Sequence, residues 1–145
     1  MTEQRTQSVE AALARYLATQ PDVIVAYLFG SRATGRARAE SDVDVAVLLN
    51  EQDSVARFER RLRLGNEVED VVSRPVDLIV LNDAPPILQH QVLCYGQLLF
   101  ERSRRARVEF EVQAGQVYAD SMPMRRFFQQ ALFREIKEAG LGGRQ

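Results

Sequence analysis

Runs of consecutive apolar residues divide the first hundred residues of this chain into predicted strands and the segments between them. Such runs cover Val23–Phe29, Val43–Leu49 and Val76–Leu81, and each has the length of a buried strand. The first run is apolar almost throughout, which is typical of a strand in the middle of a sheet. A shorter apolar run, Leu98–Phe100, predicts a fourth strand.

Apolar residues at helical spacing lie before and between these strands. They predict a first helix capped by Ser8 and a second helix that Asp53 or Ser54 caps and that reaches about Val72. The apolar stripe predicted for the second helix has six members: Val55, Phe58, Leu62, Gly65, Val68 and Val72. Arginines lie mostly on its other side, and we expect them to form a solvated face: Arg57, Arg60, Arg61 and Arg63.

Helical spacing continues in the second half of the chain. We expect Asn82 or Asp83 to cap a third helix and Gly96 to end it. The C-terminal region predicts two helices, with a break near Ala119 to Met122 and a last helix from Pro123 to Ala139. One apolar stripe of the last helix fits either a core or a partner surface: Met124, Phe127 and Phe128.

Strands and helices in this order predict a mixed α/β fold, in which a small twisted sheet carries helices mainly on one face and C-terminal helices are added to it. The length of 145 residues and the 46% hydrophobic content suit one domain with its own core. We expect residues 1–101 to form the core and residues 102–145 to form a helical extension of the same domain.

The charge and cysteine content narrow the function classes. The chain carries 19 basic and 20 acidic residues and a net charge of -1, which argues against direct nucleic-acid binding. One cysteine excludes an internal disulfide and fits a reducing compartment. The first residues lack the apolar segment of a signal peptide, and no apolar run approaches the length of about 20 residues that a membrane helix needs. We therefore expect a soluble cytoplasmic protein that does not associate with a membrane.

Candidate chemistry lies where the first strand ends and the second begins. Asp42 and Asp44 are two positions apart at the start of a strand, so their side chains should point to the same face. Adjacent carboxylates repel each other, and a divalent cation between them removes that repulsion. Oxygen ligands of this kind suit Mg²⁺. Gly30 permits close approach of the backbone to a phosphate, and Ser31 offers a hydroxyl and an N–H group.

Asp77 is a third candidate, because it lies between Val76 and Leu78 where a strand favours apolar residues. A buried carboxylate without a partner is costly, and a metal ion would offset that cost. His90 is the only histidine and has no neighbour at metal-ligand spacing, so we expect a structural or surface role. Cys94 is interpreted as a small core residue rather than a nucleophile.

The motif Gly-Ser, ten residues, then Asp-x-Asp resembles the signature of the polymerase-β-like nucleotidyltransferase superfamily, over residues 23–81 most strongly. In a chain this short it is similar to the minimal nucleotidyltransferase (MNT) family, the antitoxin half of HEPN–MNT toxin–antitoxin pairs. The superfamily has a third carboxylate on a later strand, and Asp77 occupies that place. The resemblance implies that Asp42, Asp44 and Asp77 are catalytic and hold two Mg²⁺ ions.

The same resemblance implies a nucleotide site. Gly30 and Ser31 would bind the leaving β- and γ-phosphates of ATP, and Arg32 is adjacent enough to add positive charge or to be a surface arginine. The family transfers AMP from ATP to a tyrosine of its HEPN ribonuclease partner and so silences it. The implied substrate is ATP and the implied partner is a HEPN-domain toxin. A higher-order complex with the toxin is compatible with the resemblance.

Two other functions stay open. One is a small-molecule nucleotidyltransferase of the antibiotic-modifying kind, which usually needs a helical domain around its acceptor. Few residues follow Phe100, and we therefore expect a folded protein as acceptor, docked on an apolar centre with a charged rim. The other is an antitoxin that only binds its partner, which would have no need of the carboxylates.

Overall fold

The computed structural model describes residues 2–30 and 43–137, and the side chains within them other than those of residues 2–8 and 125. A 3-10 turn over Leu81–Asp83 follows the third strand. The strands and α-helices of these residues follow in chain order: α1 (Thr2–Ala18), β1 (Val23–Phe29), β2 (Val43–Leu49), α2 (Ser54–Val72), β3 (Val76–Val80), α3 (Pro86–Tyr95), β4 (Gln97–Glu101) and α4 (Arg104–Glu135).

The strands form one mixed sheet in the order β3-β2-β1-β4. β1 pairs antiparallel with both β2 and β4, whereas β2 and β3 run parallel. A parallel pair needs a crossover connection, and α2 supplies it. The predicted strands Val23–Phe29 and Val43–Leu49 are confirmed at both ends, and the predicted mixed α/β fold is confirmed with them.

Side chains of the sheet alternate between two apolar clusters. On one face, α1 and α2 pack on the sheet and contribute Leu13, Leu17, Leu64 and Val68. On the other face, α3 and the first part of α4 pack over β1, and Val92 is fully buried there. No helix within the described ranges is long and apolar enough to span a bilayer.

The apolar stripe predicted for α2 is wrong in its first half. Val55, Phe58 and Leu62 are 63%, 55% and 50% exposed, and the fully buried residues are Leu64 and Val68. Helical spacing shows which residues share one side of the helix, but it does not show which side meets the sheet. An apolar surface of α2 is therefore left facing outward.

Two arginines of α2 take the inward positions that the sequence assigned to a solvated face. Arg57 and Arg60 each have only 14% of the side chain exposed. Arg57 pairs with Asp83 at 2.7 Å, and Arg60 pairs with Asp22 at 2.7 Å. Hydrogen bonds from these arginines lower the pKa of both Asp83 and Asp22. The expectation of a solvated face is thus wrong for both, because distant carboxylates fix their planar head groups.

Asp53 caps α2 as predicted, with its carboxylate accepting a backbone N–H at 2.9 Å. Gly96 ends α3 as predicted. The other predicted N-caps are wrong. Ser8 lies inside α1. Asn82 instead accepts from Leu49 N at 2.9 Å and donates to Leu49 O at 3.0 Å, so its amide extends β2 as another strand would. Asp83 is committed to its arginine partner.

The predicted break in the C-terminal region is also wrong, because α4 is one helix that contains Pro123. Proline cannot donate to the carbonyl of Ala119, and its ring crowds the preceding turn. These effects are local, so a helix can continue past a proline with a kink. Ser121 adds a hydrogen bond to Tyr118 O at 2.7 Å within the same turn.

The orientation of α2 predicts different costs for two leucines of the same helix. Leu64→Ala should lower the free energy of unfolding by about 3 kcal/mol, because it leaves a cavity in the core. Leu62→Ala should cost less than about 1 kcal/mol, because the side chain is already half exposed. Urea unfolding of both variants measures the difference. Equal losses would contradict this orientation of the helix.

Candidate functional site

The turn after β1 presses a backbone against a carboxylate. Gly30 has a φ of +75°, in the left-handed region that favours glycine. Phe29 pairs with Asp44 across the antiparallel strands. A Cβ atom at position 30 would overlap Oδ2 of Asp44 and lie 3.2 Å from its Cγ. Glycine is therefore required at this position both for its conformation and for space.

Asp44 and Asp77 are partners across the parallel strands β2 and β3. Neighbouring strands lie about 4.8 Å apart, and paired positions point to the same face of the sheet. The residues on either side of each aspartate enter the α1–α2 cluster, so both carboxylates point to the face that carries α3 and α4. The structure thus brings together two of the three predicted carboxylates and places Gly30 beside them.

Asp77 is exposed, and the expectation that it is buried is wrong. β3 is the edge strand of the sheet, so this part of the face remains open to solvent. The cost of burial therefore gives no reason for a metal at Asp77. The reason that remains is the juxtaposition of two carboxylates, whose mutual repulsion a cation would relieve.

Ser31, Arg32 and Asp42 lie outside the described residues. Residues 2–30 and 43–137 contain no group of three or more histidine, cysteine, aspartate or glutamate side chains that could hold a metal ion. Two carboxylates nevertheless fit Mg²⁺, which commonly binds proteins through one or two carboxylates and completes its shell with phosphate oxygens and water.

His90 and Cys94 play no part in this site. His90 stacks on Tyr118 with ring centroids 3.7 Å apart, which is the structural role expected. Sγ of Cys94 lies 3.4 Å from Nε2 of the same histidine. Cys94 is exposed, so the expectation of a core residue is wrong for it.

A polar link on the same face of the sheet as the carboxylates was not predicted from the sequence. The hydroxyl of Tyr27 donates to Glu111 Oε1 at 2.8 Å, and Arg107 donates to the same oxygen at 3.0 Å. Arg107 also pairs with Glu101 of β4. Burial raises the pKa of Tyr27, which therefore stays a hydrogen-bond donor. A single tyrosine in an apolar run is a signal of such a link, but its partner is too distant in sequence to identify.

A cavity of about 770 Å³ opens at the other end of the strands. Its lining includes Leu48, Leu49 and Asn50 at the end of β2, together with Phe110 of α4. Asp44 is four residues earlier in the same strand, about 13 Å away at the usual rise per residue. This cavity is therefore separate from the two carboxylates.

Residues 11–105 match the family model described as "Polymerase beta, Nucleotidyltransferase". The match spans all four strands, and with them Gly30, Asp44 and Asp77. This chain belongs to the polymerase beta nucleotidyltransferase family. The membership confirms the superfamily that the Gly-Ser and Asp-x-Asp motif predicted.

Relatives of this nucleotidyltransferase include two proteins named "Protein adenylyltransferase MntA". The one from Shewanella oneidensis is 35% identical over 81 residues, which are 55% of each chain. The one from Aphanizomenon flos-aquae is 35% identical over 95 residues, which are 60% of this chain and 63% of that protein. The matched segments thus span between about half and two thirds of these relatives.

Solved structures of toxin–antitoxin complexes share the fold of this nucleotidyltransferase over most of its length. A chain from a toxin–antitoxin structure with AMP-PNP superposes with a TM-score of 0.73 at 26% identity, over 86% of this chain and 98% of the other. A chain from an MntA–HepT structure gives a TM-score of 0.69 at 25% identity, over 88% and 98%.

Two glycines of this nucleotidyltransferase should respond to alanine in opposite directions. Gly30→Ala should lower the free energy of unfolding by about 1–3 kcal/mol, because of its positive φ and the overlap with Asp44. Gly115→Ala, inside α4 with no atom near the new methyl group, should raise it by about 0.5–1 kcal/mol. Denaturant titration of both variants checks this. A Gly30→Ala protein as stable as the unaltered chain would contradict the geometry of the turn.

Proposed function

We propose that this chain is a Mg²⁺-dependent protein adenylyltransferase that moves AMP from ATP to a tyrosine hydroxyl of a partner HEPN ribonuclease toxin, and that it acts in the cytoplasm as the antitoxin. The observation that carries the proposal is the pair Asp44 and Asp77 on adjacent parallel strands, with the Gly30 turn against the first. A chain that only bound its partner would have no need of this arrangement.

The comparisons support the same proposal. Two relatives at 35% identity are named as protein adenylyltransferases. Two structural neighbours at 25–26% identity belong to toxin–antitoxin structures, one of them with AMP-PNP. Similarity to these relatives and structural neighbours favours ATP as the substrate and a toxin protein as the acceptor.

Asp42, Asp44 and Asp77 would hold two Mg²⁺ ions, as the family motif implies. When bound, the ions would neutralise the triphosphate and make the acceptor hydroxyl easier to deprotonate. Gly30, with no side chain between its backbone and Asp44, leaves space for the phosphates close to the carboxylates. Ser31 and Arg32 would bind the leaving β- and γ-phosphates.

The transfer itself requires little covalent chemistry from the protein. The acceptor oxygen attacks the α-phosphorus, the bond from that phosphorus to the bridging oxygen breaks, and pyrophosphate leaves. Asp77 is exposed on the open part of the sheet face, so an incoming hydroxyl can approach it and give up its proton there. The contribution of the chain is position and charge.

The acceptor is proposed to be a protein, and the position of the large cavity among the described residues supports this. The cavity lies at the far end of β2, about 13 Å from Asp44 along the strand. A small acceptor bound there could not reach the nucleotide. A folded acceptor brings its own surface to the open face instead.

The second half of α4 offers a docking surface for such a partner. Phe127 and Phe128 are 65% and 62% exposed, so this stripe is not core in the chain alone. The other large apolar residues exposed in this half are Met122, Met124, Leu132 and Phe133, and Ile136 directly after the helix is exposed as well. A helix that is apolar on several sides needs a partner surface to bury them.

The sequence predicts a charged rim around this surface, and Arg102 does not belong to it. The predicted members are Arg102, Arg104, Arg105, Arg125 and Arg126. Arg102 donates to three backbone carbonyls, those of Val23, Ala18 and Gln20, at 2.9–3.0 Å. Arg105 pairs with Glu109 at 3.0 Å. Arg102 therefore holds the end of α1 to the sheet and is not free for a partner.

The proposed chemistry is tested by incubating the chain with ATP, Mg²⁺ and the protein product of the neighbouring gene. Mass spectrometry of that product then detects added AMP. Asp77→Asn should keep complex formation and reduce AMP transfer at least about 10³-fold, because it removes a carboxylate from the reaction centre. Asp70→Asn, an exposed position of α2, should transfer normally.

Binding of ATP and Mg²⁺ can be measured separately, by thermal unfolding. ATP with Mg²⁺ should raise the Tm more than either alone, and Asp42→Asn with Asp44→Asn should remove that synergy.

Transfer by the Asp77→Asn protein at the normal rate would contradict the role proposed for that carboxylate.

The docking surface predicts a separate defect. Phe127→Ala with Phe128→Ala should weaken complex formation at least about tenfold and leave the isolated chain folded, because both rings are exposed. Val55→Ala, at a similarly exposed position on α2, should leave complex formation unchanged. Titration calorimetry and circular dichroism measure the two properties. Unfolding of the double variant would instead identify the stripe as core.

A further inference from the structure

β3 offers hydrogen-bonding backbone groups on its outer edge. Pro75 O accepts from Val43 N at 3.3 Å, so the odd-numbered residues of β3 point their backbone groups towards β2. The even-numbered residues therefore point outward. Val76 follows this rule, because its N–H donates to Glu69 of α2 at 2.9 Å. Leu78 presents both its N–H and its C=O on the same edge, where no strand of the described ranges pairs with it.

A groove runs along this edge. It consists of two depressions of about 220 and 340 Å³ that share Arg61 in their lining. α2 forms one wall with Phe58 and Leu62, which are about half exposed, and the start of α3 forms the other with Leu88. We call the two depressions together, from Asp77 to Leu88, the edge groove. Its floor is the outer edge of β3, about 17 Å long for five residues.

Asp77 lies at one end of the edge groove. Asp77 lines the smaller depression together with Leu62 and Gly65. A chain segment lying in the groove would therefore pass directly beside Asp77. The larger depression is mainly apolar, whereas the smaller one, beside Asp77, is lined mainly by polar atoms. A depression that continues from outward-pointing strand groups to a reaction centre is what an extended protein substrate requires.

We propose that the acceptor segment of the partner protein binds as an added strand on β3, in the edge groove, and so brings its tyrosine hydroxyl to Asp77. This inference rests on the proposed function and names how its substrate is held. Backbone hydrogen bonds to Leu78 supply the register of the added strand, and the side chains of the groove select its sequence.

The pleat of a strand gives this substrate a definite pattern. Side chains of the added strand alternate between the two faces of the sheet. The tyrosine points to the same face of the sheet as Asp77, and its strand lies about 4.8 Å from β3. The residues immediately before and after it point to the other face, against Phe58 and Leu62. The acceptor tyrosine is therefore flanked on both sides by apolar residues.

The test measures AMP transfer to the folded partner with two groove variants and one control. Phe58→Glu and Leu62→Glu should each raise the KM for the acceptor at least about tenfold with little change in kcat, because a charge replaces the apolar wall. Val55→Glu, on the same helix but outside the groove, should change KM less than about twofold. All three should retain the rise in Tm that Mg²⁺ and ATP produce together.

A second measurement separates strand pairing from side-chain contact. Two short synthetic peptides centred on the acceptor tyrosine each carry one N-methylated amide, and the methylated positions differ by one residue. In an added strand only alternate amides point to β3, so one peptide should lose binding and the other should retain it. Fluorescence anisotropy with the complete chain measures this binding.

Several results would overturn the inference and leave the proposed function standing. These are an unchanged KM in both groove variants while the unaltered chain transfers AMP, or equal binding by the two methylated peptides. A dimer of the unaltered chain that Phe58→Glu converts to a monomer would show that a second copy fills the groove. Absence of AMP transfer by the unaltered chain would overturn the proposed function and the inference together.

Discussion

The register between β2 and β3 is the constraint on which the site depends. Asp44 meets Asp77 because these two parallel strands pair at those residues. A slip of one residue would turn Asp77 into the α1–α2 core and bring Leu78 out to the open face. The alternation of Val76, Asp77 and Leu78 therefore opposes any slip, since a buried carboxylate costs several kcal/mol without a partner.

The connection between the two strands reinforces that register. α2 is the crossover, and its arginine pairs join it to the segment before β1 and to the turn after β3. The Asn82 amide then bonds both backbone groups of Leu49, at the end where β2 leaves the sheet. Polar contacts thus surround the end of the sheet opposite the carboxylates.

The sequence predicted the strands well because a run of apolar residues bounded by polar ones is a local property. It also located the candidate chemistry where β1 ends and β2 begins, and the antiparallel pairing of these strands in the structure brings Gly30 beside Asp44. It could not predict that Asp77 would be exposed, because exposure depends on the order of strands in the sheet. The predicted orientation of α2 was wrong for a related reason. The carboxylates that hold Arg57 and Arg60 are 26 and 38 residues away in the sequence. Ser31, Arg32 and Asp42 stay predictions.

The two halves of α4 differ in what holds them. The first half is attached to the sheet through Tyr27, Glu111 and Arg107, whereas the second half exposes apolar side chains on several sides. Helices of this length are marginal in water without tertiary contacts, and Pro123 removes one of the backbone hydrogen bonds. Local opening there gives a protease access long before the sheet unfolds. We therefore expect this segment to be the first site of cleavage in the free chain, and a partner that covers it would couple the amount of surviving protein to the supply of that partner.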